Sequence, residues 1–170
     1  MIDALVEELR RAFDDCFAQP ARGARTAGQR LLLVQAGGQH LALPIGSLRG
    51  VERGRTVVTL PGASPSLRGI AGVRGQVVPV YALAELVGAS GGAGEWLAIA
   101  AGDAPVALAF DALSGLVDVA PDAIEPAGPA APPHATATCR ALGEVYWIVH
   151  VPVLLEQIAG RCARPRETSS

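Results

Sequence analysis

The sequence predicts a mainly β protein: two similar small β lobes packed in one domain, with a helix ahead of them. Three observations lead there. Half of the residues are hydrophobic, only 18% are charged and 4% aromatic, and 20 glycines and 13 prolines cut the chain into short segments. That is the profile of a turn-rich β protein. From Arg30 onward the segments themselves read as strands, and the pattern of the first half returns in the second. At 170 residues such a chain buries a core without help from disulfides or metal.

At the start, Ile2, Leu5, Val6, Leu9, Phe13, Cys16 and Phe17 recur at helical spacing, predicting an amphipathic helix over residues 1–18 that ends before Pro20. Asp3, Glu7 and Glu8 stand early in it and Arg10 and Arg11 later, the order a helix dipole favours. Its polar face is not basic, so it is expected to pack on its own domain rather than on a membrane surface. An Arg/Gly/Ala linker closes this segment at about residue 29. Then come RLLLVQA, a Gly37-Gly38 hairpin turn, HLALPI, SLRGVERG and TVVTLPG, a meander of short strands. ALAELVG supplies one or two helical turns stopped by Gly88. After the loop ASGGAG come EWLAIAAG, APVALAF, LSGLVDV, a Pro/Ala-rich stretch over 121–133, TATCRALG, EVYWIVH and a final helix around VPVLLEQIAG. The organisation expected is a helix and linker over 1–29, a domain over 30–160 with lobes at about 30–88 and 95–160, and a tail over 161–170. A short helix follows the last strand of each lobe.

The repetition is specific enough to align. HLALPIGSLRGV (40–51) set over PVALAFDALSGL (105–116) matches Leu41 with Val106, Leu43 with Leu108, Leu48 with Leu113, Gly50 with Gly115 and Val51 with Leu116. RGQVVPVYALAELV (74–87) over LGEVYWIVHVPVLL (142–155) matches Gly75 with Gly143, Val77 with Val145 and Val80 with Ile148. The offsets, 65 and 68, differ by a loop's worth of residues. One strand arrangement used twice predicts two similar lobes across a shared apolar interface.

Charge is uneven although the net is only −2. Residues 20–88 carry eight Arg against Glu52 and Glu85, whereas 89–160 carry Arg140 against eight Asp and Glu, a polarity able to steer a partner. Nucleic acid is not expected, because the basic half lacks clustered Arg with interleaved aromatics. Cys16, Cys139 and Cys162 are odd in number and show no CxxC or Cys/His ligand spacing, so neither a disulfide framework nor a metal site is expected. Without a leader pattern or an apolar run of membrane length, a soluble cytoplasmic protein with no direct membrane insertion is expected.

GIAGVRGQVVPVYAL, Gly69 to Leu83, places glycines at 69, 72 and 75 around Arg74. A phosphate cradle would need GxGxxG or GxxxxGK[ST] leading into a helix, and the segment here runs into a β-branched strand. The spacing predicts a hairpin with Arg74 at its tip. Catalytic signatures are missing: there is no G-x-S-x-G, and His40, His134 and His150 fall in or beside separate segments. His150 and Asp111 are read as structural groups, Asp111 as a turn cap or acceptor of backbone N–H bonds. No enzyme activity and no cofactor are expected.

In order, LLLVQAGGQHLALPIGSLRGV, TLPGASPSLRGIAGVRGQVVPVYAL and ALAFDALSGLVDVAPDAIEP resemble the CheW-like family of bacterial chemotaxis coupling proteins, over about Arg30 to Gly160. The strongest pieces are LALPI, the G-x-x-x-x-R-G-x-x-x-P-V block at Gly69 to Val80, and F-D-x-L-x-G-L/V from Phe110. The resemblance implies two five-stranded, barrel-like (SH3-like) lobes. It implies a scaffold without catalysis, bridging chemoreceptor cytoplasmic tips to the regulatory domain of a chemosensory histidine kinase, with recruitment to membrane-associated receptor arrays. Arg74 takes the place of the arginine in the family's N-L-R-G block, associated with coupling. Leu48, Val51, Gly69 and Leu116 fall where the family's receptor groove lies, and the kinase contact is expected around 39–58. Gly50, Gly72 and Ala82 stand where the family commonly has Glu, Asn and Asp. Arg74 is therefore exposed, paired anew by Glu52 or Glu85, or open to a partner's carboxylate. A diverged member binding one partner, and a small-ligand sensor using the cleft between lobes, are the alternative readings.

Overall fold

The computed structural model describes residues 2–18, 28–92 and 94–162, and within these all side chains but those of 13–18 and 162. The linker expected over 19–29 and the tail over 161–170 thus lie mostly outside the described residues. Helix α1 (Ile2–Ala18) precedes strands β1 (Gln29–Ala36), β2 (Gln39–Pro44), β3 (Leu48–Arg53), β4 (Val57–Val58), β5 (Leu67–Val73) and β6 (Gln76–Ala82) and the single turn α2 (Leu83–Leu86). The second half repeats the order with β7 (Trp96–Ala100), β8 (Val106–Phe110), β9 (Ala112–Val119), β10 (Ile124–Pro126), β11 (Ala135–Ala141), β12 (Glu144–Val149) and α3 (Val151–Cys162). Among the described residues no helix is long and apolar enough to cross a membrane.

The strands form two six-stranded sheets, ordered β10-β11-β12-β2-β1-β9 and β4-β5-β6-β8-β7-β3. Each sheet has six strands, the expected five plus the short β4 or β10. The sheets draw on both halves of the sequence: β1 and β2 join the sheet of β9 to β12, while β7 and β8 join that of β3 to β6. Each half gives its first hairpin to the other half's sheet, so neither sheet is complete without strands from both.

The duplication is visible at single-residue register. Moving every strand number by six converts one sheet order into the other. The parallel pair Val80↔Ala107 between β6 and β8 corresponds to Ile148↔Ala42 between β12 and β2. Those residues are related by the same offsets of 68 and 65 that align the two halves. The bulge between Leu48 and Gly50 on β3 recurs between Leu113 and Gly115 on β9, and the one between Leu67 and Gly69 on β5 recurs between Ala135 and Ala137 on β11.

Alternation of side chains distributes the core. In β1, Leu32 and Val34 enter a central cluster shared with Tyr81, Trp96, Leu108 and Phe110 of the other sheet, while Leu31 and Leu33 turn to a smaller cluster with Ala42, Tyr146 and Ile148. Burial on both faces explains why β1 reads as a continuous apolar run rather than an alternating one. The second sheet wraps its own small cluster of Val73, Val78, Val80, Leu97 and Ile99, which gives each sheet a barrel-like form around a private core. Pro79 sits inside β6 without breaking it because the parallel ladder to β8 begins one residue later, at Val80. Strand β10, hidden in the Pro/Ala-rich stretch, ends in Pro126 at a sheet edge, where a missing N–H is tolerated.

Candidate partner-binding site

Arg74 and Gly75 form the two-residue turn between β5 and β6, with Val73 paired to Gln76 and φ values of 49° and 78°. Positive φ at both central residues is the hairpin turn that matches strand twist. The turn holds the arginine out from the sheet, and its side chain is 67% exposed. The guanidinium then lies back across β3: an added Cβ at Gly50 would stand 2.9 Å from Arg74 Nη2. Gly50 thus leaves the space the guanidinium occupies.

Of the pairings left open for Arg74, the structure has Glu52. Arg74 Nε donates to Glu52 Oε1 at 3.4 Å, and Arg55 Nη2 donates to Glu52 Oε2 at 3.1 Å. One carboxylate is therefore divided between two guanidiniums, a long contact in the case of Arg74, so the pair contributes little to stability at this exposure. Gly72 faces open space. Further along the same strands Arg49 Nη2 donates to the Gly102 carbonyl at 2.7 Å, and Arg53 pairs with Glu95 at 3.6 Å while lying over the Trp96 ring at 5.2 Å.

A cavity of about 580 Å³ opens here, lined by Arg49 to Arg53, Arg74 and Trp96 on the sheet side and by Val6, Leu9 and Arg10 of α1 on the other. Helix α1 does pack on its own domain, through Leu9 and Ala12, each 4% exposed. The surface it covers was not legible beforehand. An apolar stripe tells that a helix has a buried face, and nothing local names the face it meets.

The residues expected to contact partners separate into two kinds. Val51 and Leu116 are half-buried and pack on the central cluster at equivalent places in β3 and β9, and Arg74 stands beside Val51 in the cavity lining. Leu48 and Gly69 lie deeper than the other three. Leu48 is a core side chain at 3% exposure. Gly69 is buried where β4 pairs with β5, and a Cβ on it would stand 2.0 Å from the Val58 carbonyl oxygen. Its lack of a side chain allows that approach.

Groups read as structural are placed accordingly. Asp111 Oδ2 accepts the Gly37 N–H at 2.8 Å and Oδ1 the Gly94 N–H at 3.0 Å, so one carboxylate clamps the β1–β2 turn to the loop before β7. His150 precedes α3, and its Nδ1 accepts the Val153 N–H at 3.3 Å, an N-cap. His40 packs edge-on against Tyr146 with ring centroids 5.2 Å apart. Cys139 is a buried free thiol whose pKa is pushed up by desolvation, which keeps it in the unreactive form; Cys16 and Cys162 have side chains outside the described residues. Among the described residues no cluster of three His, Cys, Asp or Glu could hold a metal ion.

Comparison with known proteins agrees with this architecture. The family model of the CheW-like domain matches residues 30–159. Among solved structures, the scaffolding protein TtCheW from Thermoanaerobacter tengcongensis superposes with a TM-score of 0.68 at 18% identity, covering 76% of this chain and 93% of that one. No curated protein matches in sequence. The model match spans most of the chain, the solved relative has the same fold, and the duplicated sheets lie within the matched span: the chain belongs to the CheW-like domain family, whose members are scaffold and adaptor proteins of chemotaxis signal transduction.

Proposed function

We propose that this protein is a non-catalytic cytoplasmic adaptor that couples chemoreceptor cytoplasmic tips to the regulatory domain of a chemosensory histidine kinase through protein contacts. The observation that carries the reading is the exposed guanidinium of Arg74, held by a strained turn beside the half-buried apolar residue Val51 and weakly engaged by Glu52. A charged group beside half-buried apolar anchors is the usual anatomy of a helix-binding surface. Arg74, Val51 and Leu116 are the contact residues in this proposal. Leu48 and Gly69 shape the framework behind them.

The test is direct binding of the purified chain to the kinase regulatory domain and to a receptor-tip fragment encoded in the same chemosensory operon. Arg74→Ala should weaken binding to at least one of them by tenfold or more while leaving the unfolding transition unchanged. Val51→Asp is the companion variant, placing a carboxylate at a half-buried position rather than in the core. If neither partner binds at tens of micromolar, the reading is wrong.

A further inference from the structure

Helix α1 sits against β3 beside the Arg74 turn, among the same residues proposed to meet a partner. Three features make it a loosely held occupant. Within its described side chains only Leu9 and Ala12 are deeply buried, Ile2 remains 50% exposed, and the cavity of about 580 Å³ persists between the helix and β3. The helix lies outside the span matched by the family model, which begins at residue 30. Its charge is mismatched: α1 brings Arg10 into a cavity already lined by Arg49, Arg53 and Arg74, where the lining carboxylate, Glu52, is divided between Arg55 and Arg74. Like charges around one cleft oppose docking, modestly at this exposure.

We infer that the face formed by β3 and the Arg74 turn is a helix-docking surface, that α1 is its resident occupant, and that its external partner is an amphipathic helix with carboxylates beside its apolar stripe, which displaces α1. The acidic helix supplies what α1 lacks. Apolar residues at i, i+3 and i+4 fill the positions of Val6 and Leu9, and a carboxylate replaces Arg10 opposite Arg49, Arg53 and Arg74. The inference rests on the adaptor reading only for the identity of the protein that carries this helix. Docked α1 lowers the apparent affinity of any such partner by the fraction of time the face is open, so access to the surface is set within the chain.

The test uses the full-length chain and labelled peptides copying Ile2–Ala18. A tethered segment sees an effective concentration of about a millimolar, so tenfold favourable docking in cis corresponds to a peptide Kd on the order of 100 μM. The Leu9→Asp chain, with α1 released, should bind the peptide at least tenfold more tightly than the wild-type chain. A peptide carrying Arg10→Glu should bind about threefold more tightly than the unaltered peptide, and adding Arg74→Ala to the Leu9→Asp chain should remove that gain. Equal binding to wild-type and Leu9→Asp chains, or no saturation at millimolar peptide, overturns the inference. Should Leu9→Asp fail to fold, Arg10→Glu in the full chain is the second variant. It should seat α1 more firmly, raising the unfolding temperature and lowering peptide binding; the opposite pair of changes overturns the inference.

A receptor-tip fragment separates the two readings. Tip binding that is tighter to Leu9→Asp than to wild type supports both. Equal tip binding to the two chains, alongside success with the peptide, overturns displacement and leaves the adaptor reading standing. Peptide binding with no receptor or kinase binding supports the docking surface and overturns the adaptor reading.

Discussion

The Arg74 turn and its counterpart at Leu142 are two editions of one backbone. Arg74 and Gly75 have φ of 49° and 78°, Leu142 and Gly143 have 51° and 80°. Both follow a strand with a bulge at the same place, and both reach over a glycine: a Cβ on Gly50 would stand 2.9 Å from Arg74 Nη2, and one on Gly115 would stand 3.7 Å from Leu142 Cδ1. The side chains divide them. One site has Arg74, Glu52 and Arg53, and the other has Leu142, Val117 and Asp118 at the aligned positions. The arginine site borders the cavity under α1, while Leu142 is 65% exposed. The strained turn and its glycines are therefore a property of the duplicated fold. What is particular to the first site is the charge placed on it.

The comparison can be broken most severely at Gly69. Its aligned residue is Ala137, which carries a Cβ at the matching bulge, whereas Gly69 has Val58 pressed against it. Gly69→Ala should cost about 3 kcal/mol in denaturant unfolding, and Ala137→Gly less than about 1 kcal/mol. A small cost for Gly69→Ala would mean that β4 does not approach β5 this closely. Next in size is Asp111, which has Gly46 as its aligned residue and so clamps only one of the two related junctions. Asp111→Ala removes two bonds from backbone N–H groups to one carboxylate and should lower stability by about 2 kcal/mol. Urea unfolding of Asp111→Ala and Asp111→Asn checks this, the amide retaining one acceptor oxygen and part of the stability.

The smallest effects come from the turns themselves. Asn occupies positive φ more readily than Leu or Arg, so Leu142→Asn should stabilise by about 0.5 kcal/mol. Arg74→Asn should gain less, because it also gives up the contact with Glu52. The difference between the two, read from paired thermal unfolding curves, measures the Arg74–Glu52 pair, and a value above about 1 kcal/mol would contradict the weak surface pairing described here.

Much of this was written in the sequence. Apolar matches at Leu43 with Leu108 and Val80 with Ile148 revealed the repeat, the Arg74-Gly75 hairpin was placed by its glycine and the β-branched strand after it, and Glu52 was one of two candidates to pair Arg74. What stayed hidden is non-local. The unbroken apolar run LLLV tells that both faces are buried and does not say whose strands lie beside it, so the exchange of first hairpins between sheets could not be read. The depth of Leu48 was equally hidden, because a groove position and a core position have the same apolar signature. The seat of α1 was invisible for the same reason, since Leu9 and Ala12 fit many apolar surfaces and only the tertiary fold sets Val51 and Trp96 beneath them.

The most direct measurement of the central claim is titration of the kinase regulatory domain and the receptor-tip fragment against three chains: wild type, Arg74→Leu and Leu142→Ala. The two variants alter aligned turns of one backbone, so any difference between them reports the side chain and not the fold. Arg74→Leu should weaken binding to at least one partner by tenfold or more, about 1.4 kcal/mol, with an unchanged unfolding midpoint, while Leu142→Ala should bind as wild type. Undiminished binding of both partners by Arg74→Leu would contradict the claim.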